Sequence, residues 1–167
     1  MAIPFGMLFE AMVVTARTVL LARGGHTAKF ILSTDTGPVF LLLPNMPKDF
    51  EARRLFAAQA VRDYATGHGA TRLEAVFFVS EAWVTSTPLP QYEPADFVRP
   101  SEDPAKREVL VVVGRDVEAD APVRGWMGEI IRAHDKVEFA PWPAREGQFE
   151  SAMIDAAESG WKAVGDG

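Results

Sequence analysis

The run from Arg72 to Thr85, RLEAVFFVSEAWVT, decides how this chain folds. One alternate set of its side chains is Phe77, Val79, Glu81 and Trp83; the other is Val76, Phe78, Ser80, Ala82 and Val84. Both sets are apolar and rich in β-branched and aromatic residues, which predicts a central strand covered on both faces. Glu81 is the exception. A carboxylate placed there must find a partner, change its pKa or sit where water reaches it.

Upstream, residues 28–33 and 38–43 are short apolar runs separated by Thr34-Asp35-Thr36-Gly37, whose aspartate and glycine suit a hairpin turn. Pro44 ends the second run. A helix is predicted from about 47 to 66, with Pro47 at its first position, Asp49 and Glu51 complementing the dipole, and Gly67 as C-cap. Phe50, Ala57, Val61 and Tyr64 should face inward. At the N-terminus, residues 5–23 read as a helix closed by Gly24-Gly25. Leu8, Met12, Ala16 and Val19 form one stripe, widened by Phe9, Val13 and Leu20. So wide a stripe suits packing on the domain or on another subunit.

Downstream, Pro88, Pro90, Pro94, Pro100 and Pro104 cannot donate ladder bonds, so a long semi-rigid loop is predicted. Residues 108–113, EVLVVV, read as a second buried strand, antiparallel to the central one. Val123 to Ala133 is ambiguous. Gly125 and Gly128 weaken a strand, while Met127, Ile130 and Ile131 have near-helical spacing. A strand over 136–140 follows a turn at His134-Asp135, and Pro141-Trp142-Pro143 stops it. A final amphipathic helix is predicted over about 146–164, carrying Phe149, Met153, Ala156 and Gly160 on one stripe and Ile154, Ala157, Trp161 and Val164 beside it. The expected fold is one α+β domain, a mainly antiparallel or mixed sheet of about five or six strands with three helices, in the order α-β-β-α-β-β-(β)-β-α.

The whole-chain quantities narrow the functional classes. The chain has 167 residues, 48% of them hydrophobic and 24% charged, an ordinary globular balance. A net charge of −6 disfavours nucleic acid and anionic membranes, because phosphate is bound mainly by Lys and Arg. Arg53, Arg54, Arg62 and Arg72 are interrupted by Asp49, Glu51 and Asp63, which suits a solvated face laced with ion pairs. The absence of cysteine excludes disulfides, thiolate catalysis and Cys-ligated metals. The N-terminus lacks the basic region of a signal peptide, and Glu10 and Arg17 interrupt an apolar run read as too short for a bilayer, so a cytoplasmic protein is expected.

Several constellations remain. If the two buried strands pair antiparallel, the mouth of the proline loop gathers Glu81, Trp83, Ser101, Glu102 and Arg107. Glu81 would then be a buried acid or base, or an Arg107-bound carboxylate orienting a ligand. Alternatively, Glu81 and Arg107 form a structural cross-strand pair with Trp83 packed under the loop. His26, His68 and His134 lie by glycine or in turns, and none has a second histidine at ligand spacing; His134-Asp135 is the one neighbouring pair a metal could use. No nucleophile elbow, P-loop or dinucleotide fingerprint is present, and no cofactor is expected. Trp83, Trp126, Trp142 and Trp161, with Arg124 and Arg145 nearby, have the composition of interface anchors. The reading favoured is a non-catalytic accessory domain acting through a protein partner or a second copy of itself. The alternative is a small enzyme or ligand-binding protein using Glu81, Trp83 and Arg107.

The segments SEAWV and RPSEDPAKREVLVVVG, with the proline-rich stretch between them, resemble a group of small proteins of bacteria and their phages that carry no assigned activity. The resemblance spans Phe30 to about Arg115. It implies an origin in a mobile element and no ligand or catalytic residue.

Overall fold

The computed structural model describes residues 3–84 and 106–165. The elements in chain order are α1 (Phe5–Arg23), β1 (Lys29–Thr34), β2 (Gly37–Leu42), α2 (Phe50–Gly67), β3 (Leu73–Val84), β4 (Arg107–Asp116), β5 (Arg124–Ala133), β6 (Lys136–Phe139), β7 (Arg145–Gln148) and α3 (Ala152–Gly165). The strands form one antiparallel seven-stranded sheet in the order β2-β1-β3-β4-β5-β6, with β7 also on β5. This is the expected α+β architecture, with β3 at its centre.

Directly opposed residues in a sheet share a face, so the register sorts the core into two layers. On one face, Ile31, Phe77, Val79, Leu110, Val112, Trp126 and Ile130 pack under Phe9, Val13, Ala16 and Leu20 of α1. On the other, Phe30, Leu32, Val76, Phe78 and Val113 meet Ala57 and Val61 of α2 and Ile154 and Ala157 of α3. Burying each large apolar side chain contributes about 1.5–3 kcal/mol. That both alternate sets of β3 are greasy therefore follows from there being a helical layer on each side.

The ambiguous stretch is a strand. Its glycines are places where aromatic rings come down on the backbone: a Cβ at Gly125 would lie 2.2 Å from the Phe149 ring, and one at Gly128 would lie 2.5 Å from Trp126. Gly114 is the same case, since its cross-strand partner Phe77 occupies the space a Cβ would need, at 2.5 Å. The glycines thus leave room for rings to cover the sheet. The turn at His134-Asp135 forms as expected, with His134 at φ 56°.

Four expectations are corrected. The last helix begins at Ala152 rather than near 146; Arg145–Gln148 instead pairs with β5, Gly147 has φ 152°, and the Ser151 hydroxyl accepts the Ile154 N–H at 3.3 Å. The middle helix begins at Phe50 because Asp49 is its N-cap, accepting the Ala52 N–H at 2.9 Å, and it runs through Gly67 to a C-cap at His68. Phe50, at the helix's first position, is exposed, while Ala57 and Val61 are buried. Finally, α1 has a mean hydropathy of 1.6 over a bilayer-spanning window, so by length and composition it is apolar enough to cross a membrane; here it lies on the sheet.

The two outer edges differ. Along β5, the free edge is covered by β7 over Arg124–Met127 and by β6 over Ile130–Ala133, and these short strands carry Lys136, Glu138, Arg145 and Glu146. At the other edge stands β2, GPVFLL, which carries no charge. Its Phe40 and Leu42 lie on the α1 face yet remain 60% and 64% exposed.

Candidate functional site

Register decides where the candidate residues go. Glu81 opposes Leu110 and Trp83 opposes Glu108, so all four point to the α1 face. Arg107 opposes Val84, and an odd offset from Glu81 sends it through the sheet to the α2/α3 face. The expected Glu81–Arg107 pair is therefore not made. Ser101 and Glu102 lie outside the described residues.

On the α1 face, Glu81 belongs to a polar cluster closed by Arg132. The Arg132 guanidinium donates to Glu81 Oε1 at 2.5 Å, to both oxygens of Glu108 at 2.8–3.0 Å, and to the carbonyl of Gly24. Gly24 is the left-handed C-cap of α1, φ 74°, so Arg132 also neutralises the negative end of that helix. The second oxygen of Glu81 accepts the backbone N–H of His26 at 3.3 Å. Hydrogen bonding to Glu108 first, opposed by desolvation and aided by the charges of Glu108 and Glu81, holds Arg132 above its ordinary pKa. Both Glu81 oxygens are engaged, and the cluster locks the end of α1 onto β3, β4 and β5.

His26, beside Gly24-Gly25, is buried, with only 7% of its surface accessible. Its Nδ1 lies 3.0 Å from the Thr27 carbonyl, and its Nε2 has no hydrogen-bond partner among the described residues. Burial lowers its pKa; the Thr27 carbonyl opposes that, Lys29 and Arg23 add to it, and Glu81 opposes it. Trp83 is partly exposed, with Lys106 Nζ 4.6 Å from its ring centroid.

On the opposite face, Arg107 donates to Glu129 Oε2 at 3.5 Å, and the Trp142 indole donates to the same oxygen at 3.2 Å. With Val84, Val109, Met127 and Arg145 they line an open cavity of about 250 Å³. Of the four tryptophans, Trp126 is buried under α1, Trp142 and Trp83 are exposed, and Trp161 is half-buried.

The remaining candidates separate. His134 and Asp135 are exposed in the β5–β6 turn, and among the described residues no three His, Asp or Glu side chains converge as a metal site. His68 stacks on Tyr64 at 4.1 Å. On the basic face of α2, Arg54 pairs with Glu51 at 3.3 Å and Arg53 donates to the Pro47 carbonyl at 2.7 Å, as a solvated face should.

Two charged residues escaped the sequence reading. Arg132 could have been found only with β5 in register, where it falls diagonally across from Glu108. Glu158 could have been found directly, because it sits on the apolar stripe of α3 between Ile154 and Trp161. It is buried, and pairs with Arg115 at 2.8 Å.

No family model, curated protein or solved structure matches the chain.

Proposed function

We propose that this chain is a non-catalytic interaction domain that works through apolar surface. The supporting observation is a contrast of side chains. The charges that could have made a reactive centre, Glu81, Glu108 and Arg132, are joined in one closed cluster. Meanwhile Met7, Val14, Leu21, Phe40 and Leu42 stand exposed on the α1 side of the sheet. Large apolar groups in water mark interaction sites more often than chance exposure when several share a side of the molecule. An accessory role in a mobile element rests on the resemblance of the 30–115 region alone.

Light scattering across a wide concentration range tests the reading. Self-association, or association with an added partner, is expected to weaken when Val14, Leu21 and Phe40 are replaced together by serine. A protein that stays monomeric, binds nothing and behaves identically after those replacements would count against it.

A second reading, small-molecule binding, is favoured by the face carrying Arg107, Glu129, Trp142 and Arg145 around a cavity. Two arginines against the one carboxylate of Glu129 leave the cavity net positive, and with an indole beside them this suits a flat anion that takes Arg107 from Glu129. Thermal-shift screening of aromatic carboxylates should then find a stabiliser whose effect disappears in Arg107→Met. Glu81→Gln, on the far side of the sheet, should leave that effect in place.

A further inference from the structure

The helix α1 is apolar on two opposite sides. Phe9, Val13, Ala16 and Leu20 enter the core. Met7, Val14 and Leu21 stand on the outer side, exposed, seven residues apart, with Ile3 just before them. At 100° per residue the directions of Met7, Val14 and Leu21 fall within about 40° of one another. A repeat of seven in so narrow a band supplies one of the two positions per heptad of a seam against another helix, with the small residues Ala11 and Thr18 at the other, whereas burial on a sheet or in lipid asks for a broad apolar patch.

We propose that this outer stripe joins two copies of the chain, α1 packing antiparallel on α1 of a second copy about a two-fold axis at Val14. The proposal rests on the interaction-domain reading and names its partner. In that arrangement Val14 meets Val14, and Met7 meets Leu21 of the second copy.

Charge selects the direction. Glu10 and Arg17 flank the stripe on the same side and lie almost symmetrically about Val14. Antiparallel packing brings each Glu10 level with Arg17 of the other copy, to within one residue. Parallel packing would instead set Glu10 and Arg17 against the opposite flank of the other copy, where Ala11 and Thr18 offer no charge to meet them. Within one copy these side chains are drawn down toward the sheet: Glu10 bonds Arg124, and the Arg17 guanidinium lies 5.3 Å from the Phe139 ring centroid and 5.8 Å from that of Trp126. The stripe itself is left bare. Its other flank is Ala11 and Thr18, small residues that let backbones approach, and the Thr18 hydroxyl is already bonded to the Val14 carbonyl at 2.8 Å. A two-fold contact of this kind closes on itself and makes dimers without filaments.

Because the chain has no cysteine, a single introduced thiol reports position without background. The full-length protein is made as Val14→Cys, Met7→Cys and Leu21→Cys, oxidised alone and in mixtures, and read on non-reducing gels beside light scattering of the wild type. The expected result is a dimeric wild type, a Val14→Cys homodimer, and a cross-linked species from Met7→Cys mixed with Leu21→Cys that neither forms alone. Val14→Asp should return the protein to a monomer, with its circular dichroism unchanged because Val14 is 62% exposed.

Self-linking of Met7→Cys and of Leu21→Cys would establish a parallel pair and overturn the proposed geometry. A dimer that survives Val14→Asp would overturn the seam while sparing the interaction-domain reading. A monomeric wild type overturns the proposal outright; flotation with phosphatidylcholine vesicles, lost in Val14→Asp, would then make lipid the occupant of the stripe.

Discussion

The two faces of the sheet are closed in different ways. The α2/α3 face carries two helices pressed together so closely that a Cβ on Gly160 would sit 2.2 Å from the Ala58 carbonyl oxygen. Its ion pair, Arg115–Glu158, joins β4 to α3 and is largely buried, the two side chains being 23% and 8% exposed. The α1 face carries one helix. Its ion cluster, around Arg132, lies at the rim, where that side chain is 37% exposed. One helix cannot cover a face of this width, and Phe40 and Leu42 are what it leaves bare. The lesson is that, among the described residues, the β2–β1 end of the sheet is covered by helix on its α2/α3 side and left bare on its α1 side.

That contrast can be tested by substitution. Arg115→Met should do most damage, because it strands a buried Glu158; removing one member of such a pair costs about 3–5 kcal/mol, read as a lower urea midpoint. Gly160→Ala should follow, at about 1–3 kcal/mol for overpacking against a backbone that has little room to yield. On the other face Arg132→Met should cost only about 1 kcal/mol, since water reaches its partners and screens them. Were Arg132→Met to equal Arg115→Met, the distinction between a sunken and a rim cluster would collapse.

The buried imidazole of His26 adds a pH dependence to the α1 face. Its folded pKa is lowered, chiefly by burial, so the unfolded chain binds more protons once pH falls below the ordinary value of about 6.5. Stability should be full above that value, decline as pH falls from there toward the lowered folded pKa, and level off below it. Urea midpoints at descending pH should show this slope in the wild type and lose it in His26→Gln. The smallest effect belongs to Val14→Ser, which should change the folding stability of the monomer by no more than about 0.5 kcal/mol, because that side chain is 62% exposed within a single copy.

How much of this could be read in advance varied with the physics of each segment. The central strand was legible because two apolar alternate sets leave few other solutions. The β5 glycines misled because the rings that cover them, Phe149 and Trp126, are recognisable as covers only once the sheet is assembled. Arg145–Gln148 carries no apolar pattern, being held by main-chain pairing with β5 and exposed throughout, so its strand left no mark in the side chains. Glu81 was rightly singled out as a residue needing partners, but its partner was mistaken. Strand direction was right, yet facing depends on the parity of the register, and the 81–110 pairing sends Arg107 to the other side.

The outer edge of β2, unpaired among the described residues, has a consequence for handling the protein. GPVFLL has no gatekeeper charge, and only Pro38, early in the strand, is unable to donate a hydrogen bond. Such a border is a template for strand stacking between molecules. On warming or concentration, turbidity should start there, and a lysine at position 40 should delay it without disturbing the layers beneath.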